Sequence, residues 1–285
     1  MKILLTGSHG YIGTNYRYYD NDNEIISCDY KIGYSILDFI NENPKEIDAI
    51  IHLAAMPGVG KCEKNYIGAW FENVTCSYLL MKYAVDNKIP IVVTTSQAIK
   101  TPTQSVYSMT KATCENIALT FNKENVIDSK IKVIRPANVY GDTENLHQRN
   151  KNLRSELREN YIHNKSSVIA KFMVDYIRGE PLKVVGDGTQ TRDFIHIEDI
   201  CKAIKLYIES ENTAISPMDL GTGGEHSIKE IADEFTKNYQ FVEGDPGASG
   251  NKADTSIIES MLGFIPQVRV VNFIKDFKRN SQDYI

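Results

Sequence analysis

The chain has 285 residues, enough for one large domain, or a domain and a smaller lobe, around a real core. Hydrophobic residues make up 42% and charged residues 24%, an ordinary balance for a soluble globular protein, and no apolar run approaches the roughly 20 residues of a membrane span. A net charge of -5 leaves no basic footprint for nucleic acid, so an anionic ligand must be held by local dipoles and a few cations.

The chain opens on Met1-Lys2-Ile3-Leu4-Leu5-Thr6, and Gly7 ends this apolar run too early for a signal peptide. Residues 3–6 read as a buried strand, and 24–29, 49–53, 91–95 and 132–135 as four more, the last closed by Pro136. Helices are expected over 12–19, 37–42, 69–87 and 105–123, between those strands. Strands alternating with helices predict a doubly wound α/β fold, a parallel sheet covered on both faces. Right-handed crossovers then bring the strand C-termini to one edge, where ligands bind. After Gly141 a polar stretch runs to residue 165, with a solvated helix expected over 153–162. A helix over 166–177, a strand over 182–185 and helices over 228–241 and 254–262 predict a smaller C-terminal α/β lobe. Pro246, Gly247 and Gly250 mark a loop over 244–250.

Gly7-Ser8-His9-Gly10-Tyr11-Ile12-Gly13 follows the first strand and opens a helix. Gly7 turns the chain, Gly10 lets backbone approach a pyrophosphate, and Gly13 lets helix pack on strand. The helix N-terminus offers amide donors and a partial positive charge to the phosphates. Asp29 closes the second strand about 20 residues on, where a carboxylate accepts from ribose hydroxyls and repels a 2′-phosphate. That favours NAD over NADP, with Lys31 close by.

Tyr107 and Lys111 stand four apart and so share a helix face. An ammonium beside a phenol stabilises the phenolate, so the pKa is expected to fall from about 10 toward neutral, and the tyrosine can exchange protons as general acid or base. Five cysteines (Cys28, Cys62, Cys76, Cys114, Cys201) are scattered without metal-like spacing, which reads as free thiols in a reducing cytoplasm. His9, His52 and His196 show no ligand spacing either, so no metal is expected, and His52 reads as a packed residue. Trp70 and the cluster Tyr16, Tyr18 and Tyr19 read as helix packing.

In order along the chain, these residues resemble the extended short-chain dehydrogenase/reductase family, in its nucleotide-sugar epimerase and dehydratase branch. The marks are the glycine turn, His52-Leu53-Ala54-Ala55, Tyr107-x-x-x-Lys111 and Arg135-Pro136-Ala137-Asn138-Val139-Tyr140-Gly141. Gly186-Asp187-Gly188-Thr189-Gln190-Thr191-Arg192-Asp193-Phe194-Ile195-His196 and Asp219-Leu220-Gly221-Thr222-Gly223 follow later. The resemblance implies a Rossmann-like NAD-binding domain over 1–165, with 191–222 returning to it, and a nucleotide-sugar lobe over 166–285. It implies cofactor contacts at Gly7, His9, Gly10, Tyr11, Ile12, Gly13, Asp29, Ser35, Ile36, Leu53, Ala54 and Ala55, and at Tyr107 and Lys111. Ser96, Tyr107 and Lys111 match the catalytic residues, Lys111 binding the nicotinamide ribose and lowering the Tyr107 pKa. Ser96, Asn138, Arg192 and Asp245 match substrate contacts, and a forked guanidinium at Arg192 suits phosphate.

The implied activity is that of a UDP-sugar 4-epimerase working through a transient 4-keto sugar in a cytoplasmic homodimer. A 4,6-dehydratase and a 4-ketosugar reductase are the alternatives, and a non-catalytic NAD(P)-binding sensor is one of another class. Gln97 and Ala98 stand where dehydratases resembling this chain carry an acidic pair after the catalytic hydroxyl, and neither can shuttle a proton. The chain departs from the family at Ser35, where an adenine-contacting aspartate is usual, and at Asp219, where asparagine is usual. Val242 stands where a diphosphate-binding arginine is common, with Lys252 as a substitute. The stretches from Asp29 to His52 and from Ser96 to Tyr107 are both short.

Overall fold

The computed structural model describes residues 1–44, 46–101, 103–124, 131–141, 167–211, 217–247 and 249–279. The helix expected over 153–162 lies outside the described residues. The strands are β1 (Lys2–Thr6), β2 (Glu24–Cys28), β3 (Ala49–His52), β4 (Ile91–Thr94), β5 (Ile131–Pro136) and β6 (Asn138–Tyr140). They continue as β7 (Leu182–Val185), β8 (Thr191–Arg192), β9 (Phe194–His196), β10 (Met218–Leu220), β11 (His226–Ser227) and β12 (Tyr239–Val242). The first helices are α1 (Tyr11–Tyr19), α2 (Ile36–Glu42), α3 (Val59–Lys64), α4 (Tyr66–Trp70), α5 (Cys76–Asp86) and α6 (Val106–Glu124).

Six strands form the main sheet in the order β10-β5-β4-β3-β1-β2. Every neighbouring pair is parallel. Ile50, Ile51, Ile91, Val92 and Val93 are all wholly buried, because helices cover both faces and a strand sealed on two sides needs an unbroken apolar run. On one face α1 and the helix Ile197–Glu209 pack over Ile3, Leu5 and Ile51; on the other, α2, α5 and α6 pack over Leu4, Ile50 and Val93. A third core gathers Tyr140, Phe172, Phe235 and Phe277 around β7 and the helices Val168–Arg178, Ile228–Phe235 and Val270–Arg279.

Two expected helices differ in the structure. The one over 69–87 is interrupted by a π-helical turn, Phe71–Thr75, between α4 and α5. The one over 228–241 stops at Phe235, and β12 then runs parallel to β7, with Tyr239 beside Leu182. Its distant pairing partner, rather than local propensity, decides that segment. Tyr16 is fully buried as expected, whereas Trp70 is 43% exposed. Among the described residues, no helix is long and apolar enough to cross a membrane. The parallel sheet delivers Gly7, Asp29, Leu53, Thr95 and Ala137, each the residue just past its strand, to a single edge.

Candidate active site

At that edge Gly7 has a φ of +67°, a left-handed conformation that side chains rarely adopt. A Cβ there would also lie 2.7 Å from the Ala54 nitrogen, and one on Gly13 would lie 2.1 Å from the Gly7 oxygen. The chain thus leaves a narrow cradle at the start of α1, whose N-cap Gly10 supplies no side-chain cap. The first turn of α1, Tyr11 to Gly13, lines the cleft, and a helix N-terminus suits an anion. Asp29 is 6% exposed, and its two oxygens accept the His9 and Lys31 amides, each at 2.9 Å. The Lys31 ammonium donates to the His9 carbonyl at 2.7 Å, so it braces the turn instead of pairing with Asp29. Ser35 caps α2 in a reciprocal capping box with Asp38.

His52, at the end of β3, is buried between Thr6 Oγ1 at 2.7 Å and Ser77 Oγ at 2.8 Å. Burial, with a further push from Lys111, takes its pKa down to about 3, so it is a neutral hydrogen-bonding post. Thr6 Oγ1 also accepts the Ala54 amide at 3.2 Å, which fixes the Leu53-Ala54-Ala55 wall. Ser77 continues the chain to the carbonyl of Asn73, at 2.9 Å. Asn73, in the π-turn and wholly buried, accepts the Met56 amide at 2.7 Å and donates to Thr110 at 3.0 Å. This braces the first turns of α6 against the loop after β3. Neither Asn73 nor Ser77 stood out in the sequence, because the π-turn that aims Asn73 inward has no local signature.

Ser96 follows β4 and caps a turn at Gln97–Lys100, accepting the Ala98 amide at 3.2 Å. It also hydrogen-bonds the Tyr107 phenol. Burial raises the Tyr107 pKa, and the Ser96 bond lowers it by less. This corrects the expectation that Lys111 brings that pKa down: desolvation dominates in the protein alone. Lys111 is 5% exposed, and burial lowers its own pKa while its ammonium donates to the Thr94 carbonyl at 3.0 Å. Gln97 is turned inward, donating to the Arg135 carbonyl at 2.9 Å.

Across from these groups stands a wall from the later part of the chain. Asn138 donates its side-chain amide to the Asp193 carbonyl at 2.9 Å. The Asp193 carboxylate, with no exposure, gathers the amides of Thr222, Gly223 and Ala253, each at 3.0 Å. Arg192 donates to the Thr191 and Pro246 carbonyls, and Asp245 draws its guanidinium electrostatically. Asp245 itself accepts the Gly247 amide at 2.8 Å.

One cleft of about 1030 Å³ joins the two sides. Gly7, Gly10, Tyr11, Ile12, Gly13, Asp29, Ser35, Ile36, Leu53, Ala54 and Ala55 line it, as do Ser96, Tyr107, Asn138, Arg192 and Asp245. His9 and Lys111 do not: the first meets Asp29 through its amide, and the second lies beneath the surface on Thr94. Lys252 is not a lining residue either, and it offers its carbonyl to Lys100. Sequence reasoning missed Lys61, Glu72 and Asn251, which line the cleft from loops and helices without a motif. Among the described residues, no group of three or more His, Cys, Asp or Glu gathers as a metal centre.

A family model described as the NAD dependent epimerase/dehydratase family matches residues 3–220. The UDP-glucuronic acid decarboxylase 6 of Arabidopsis thaliana is 24% identical over 315 residues, covering 95% of this chain and 85% of the relative. The fold is similar to that of a UDP-glucuronic acid 4-epimerase from Bacillus cereus, solved with UDP-glucuronic acid and NAD. The TM-score is 0.79 at 21% identity, and all of both chains is covered. It is also similar to a dTDP-glucose 4,6-dehydratase from Streptomyces venezuelae solved with NAD, with a TM-score of 0.76 at 19% identity over 99% of this chain and 98% of that one.

Proposed function

The chain belongs to the NAD-dependent epimerase/dehydratase family, and on that premise we propose that it epimerises a UDP-sugar at C4 through a transient 4-keto sugar. The observation that carries this reading is the single cleft, with a glycine cradle and Asp29 on one side and Ser96, Tyr107, Asn138 and Arg192 on the others.

The residues present fit NAD, the family's cofactor. Gly7 and Gly13 let the turn and α1 pack closer than any side chain would allow, Gly10 lines the cleft where backbone can approach a pyrophosphate, and Asp29 faces the cleft with a carboxylate suited to a ribose diol. When bound, NAD supplies a reversible hydride acceptor. Tyr107 takes the proton from the C4 hydroxyl as the ketone forms, and returns it when the opposite face is reduced. Ser96, hydrogen-bonded to that phenol, holds the same sugar oxygen and shortens the proton's path. Lys111 is assigned to the nicotinamide ribose, its ammonium resting on the Thr94 carbonyl beneath the cleft in the protein alone. Arg192 and Asn138 would meet the diphosphate across the cleft, the guanidinium through its fork.

Gln97 and Ala98 favour epimerisation over elimination. Neither side chain can move a proton, and the Gln97 amide is committed to the Arg135 carbonyl. A homodimer fits the apolar surface on α4, α5 and α6, where Tyr66 is 59%, Ile67 85%, Tyr78 42% and Met109 42% exposed. A cytoplasmic setting fits five buried, unpaired cysteines.

Incubation with NAD and a panel of UDP-, dTDP-, GDP- and CDP-sugars, with products resolved by chromatography, tests the reading. A C4 epimer is expected from a UDP-sugar with the wild type and not with Tyr107→Phe. No conversion of any nucleotide sugar, or equal conversion by the variant, would overturn it.

A further inference from the structure

The loop between Ser96 and Tyr107 carries one basic residue, Lys100. Its ammonium leaves the loop and donates to Asp219 Oδ2 at 2.9 Å and to the Lys252 carbonyl, 152 positions away in sequence, at 2.6 Å. Asp219 lies on β10 and is 4% exposed. Its Oδ2 also accepts the Asp254 amide at 3.0 Å, and its Oδ1 faces Arg135 at 3.4 Å. Arg135 is paired with Glu115 on α6, and Glu115 accepts the Thr95 hydroxyl at 3.0 Å. The residues on either side of Ser96 are therefore both tied to this ionic chain: Thr95 through Glu115, and Gln97 through the Arg135 carbonyl. At its far end the chain holds residues 252–254, next to the wall of Asp245, Gly247 and Asn251 that lines the cleft.

We infer that Lys100 is a positioning residue that couples the Ser96 loop to the wall of Asp245, Gly247 and Asn251, so that a nucleoside diphosphate seated on the wall also sets the place of Ser96. The inference rests on the nucleotide-sugar reading. Among the described residues Lys100 is the one hydrogen-bonded link from the loop to the wall, which it meets at the Lys252 carbonyl while its ammonium also holds Asp219 on β10. A half-exposed lysine on a single carboxylate would impose little order. Two acceptors from separate segments, one of them a nearly buried carboxylate, define a position.

Hydrogen exchange on the full chain with NAD, with UDP, dTDP, GDP and CDP added in turn, tests the coupling in wild type, Lys100→Met and Lys100→Arg. In the wild type the nucleotide that binds is expected to slow exchange over 97–101 as well as over 245–254. In Lys100→Met the protection over 245–254 stays and that over 97–101 is lost, while Lys100→Arg restores it. Steady-state kinetics then give roughly a tenfold fall in kcat for Lys100→Met, with KM within about threefold and thermal midpoint and NAD affinity unchanged. Because Lys100 acts through Ser96, adding Lys100→Met to Ser96→Ala costs less than about threefold more. Equal protection of 97–101 in wild type and Lys100→Met, its absence from both, or fully multiplicative losses in the double variant would each overturn the inference. A fall in thermal midpoint and NAD affinity would do so too, because it marks a merely structural role. If the wild type converts no nucleotide sugar, the functional reading falls, and the exchange data still decide the coupling.

Discussion

Gly13→Ala adds a single methyl, and the structure says where it goes. The new carbon would stand 2.1 Å from the Gly7 oxygen and 2.8 Å from the Ser8 Cα, where real Cβ atoms essentially never come within 3.0 Å. One side must therefore retreat by close to an ångström. The turn cannot yield cheaply, because the Gly7 amide donates to the Cys28 carbonyl at 2.9 Å and Arg17 holds the Ser8 carbonyl at 2.8 Å. The first turn of α1 must lift instead, and its amides are those that would face the pyrophosphate. Overpacking of this kind costs about 1–3 kcal/mol. Borne by the cofactor site, that weakens NAD roughly 5- to 150-fold. Borne by the fold, it lowers the thermal midpoint by about 2–4 °C per kcal/mol. Calorimetric titration with NAD, together with a thermal melt, measures both parts. Gly60→Ala is the control: nothing lies within 4 Å of a Cβ there, and the residue sits inside α3. Wild-type NAD affinity and stability in Gly13→Ala would refute the close-packed cradle.

Three further outcomes follow from the site. Tyr107→Phe should lower kcat by about 10²–10⁴ while NAD and UDP affinities, read by calorimetry, stay as in the wild type. Asp29→Asn removes the charge opposing a 2′-phosphate, so the ratio of NAD to NADP affinity should fall by roughly tenfold or more, measured by titration with each. His52 has a folded pKa near 3 against an ordinary 6.5, so the folded form refuses a proton that the unfolded chain accepts. Its contribution to stability is complete above pH 6.5 and is lost as pH falls from there toward 3, by about 1.4 kcal/mol per pH unit. Urea unfolding between pH 7 and 5 should show this extra slope in the wild type and not in His52→Asn.

The cradle and the sheet were readable from the sequence because their demands are local. A glycine that must take a positive φ, an apolar run sealed on both faces and an acid at a strand end all leave marks within a few residues. What escaped depends on distant partners. β12 follows a helix-like pattern and becomes a strand because β7 lies beside it. The turn at Phe71–Thr75 looks like any helix, yet it aims Asn73 at Met56 and Thr110. The Tyr107–Lys111 spacing is visible, but the direction of the Tyr107 pKa follows from burial, which four-residue spacing does not encode. Lys100 likewise drew no attention as a lone loop lysine, because its acceptors come from Asp219 and Lys252.

The central claim concerns what happens to the hydrogen at C4. Proton NMR of the wild type with NAD and the accepted UDP-sugar in D2O follows that atom directly. The account predicts the C4 epimer with its C4 hydrogen retained and no deuterium entering the ring, because the hydride that leaves C4 returns to it. A 4-keto-6-deoxy product with deuterium at C5, a product that has lost carbon dioxide, or a starting sugar unchanged would contradict it.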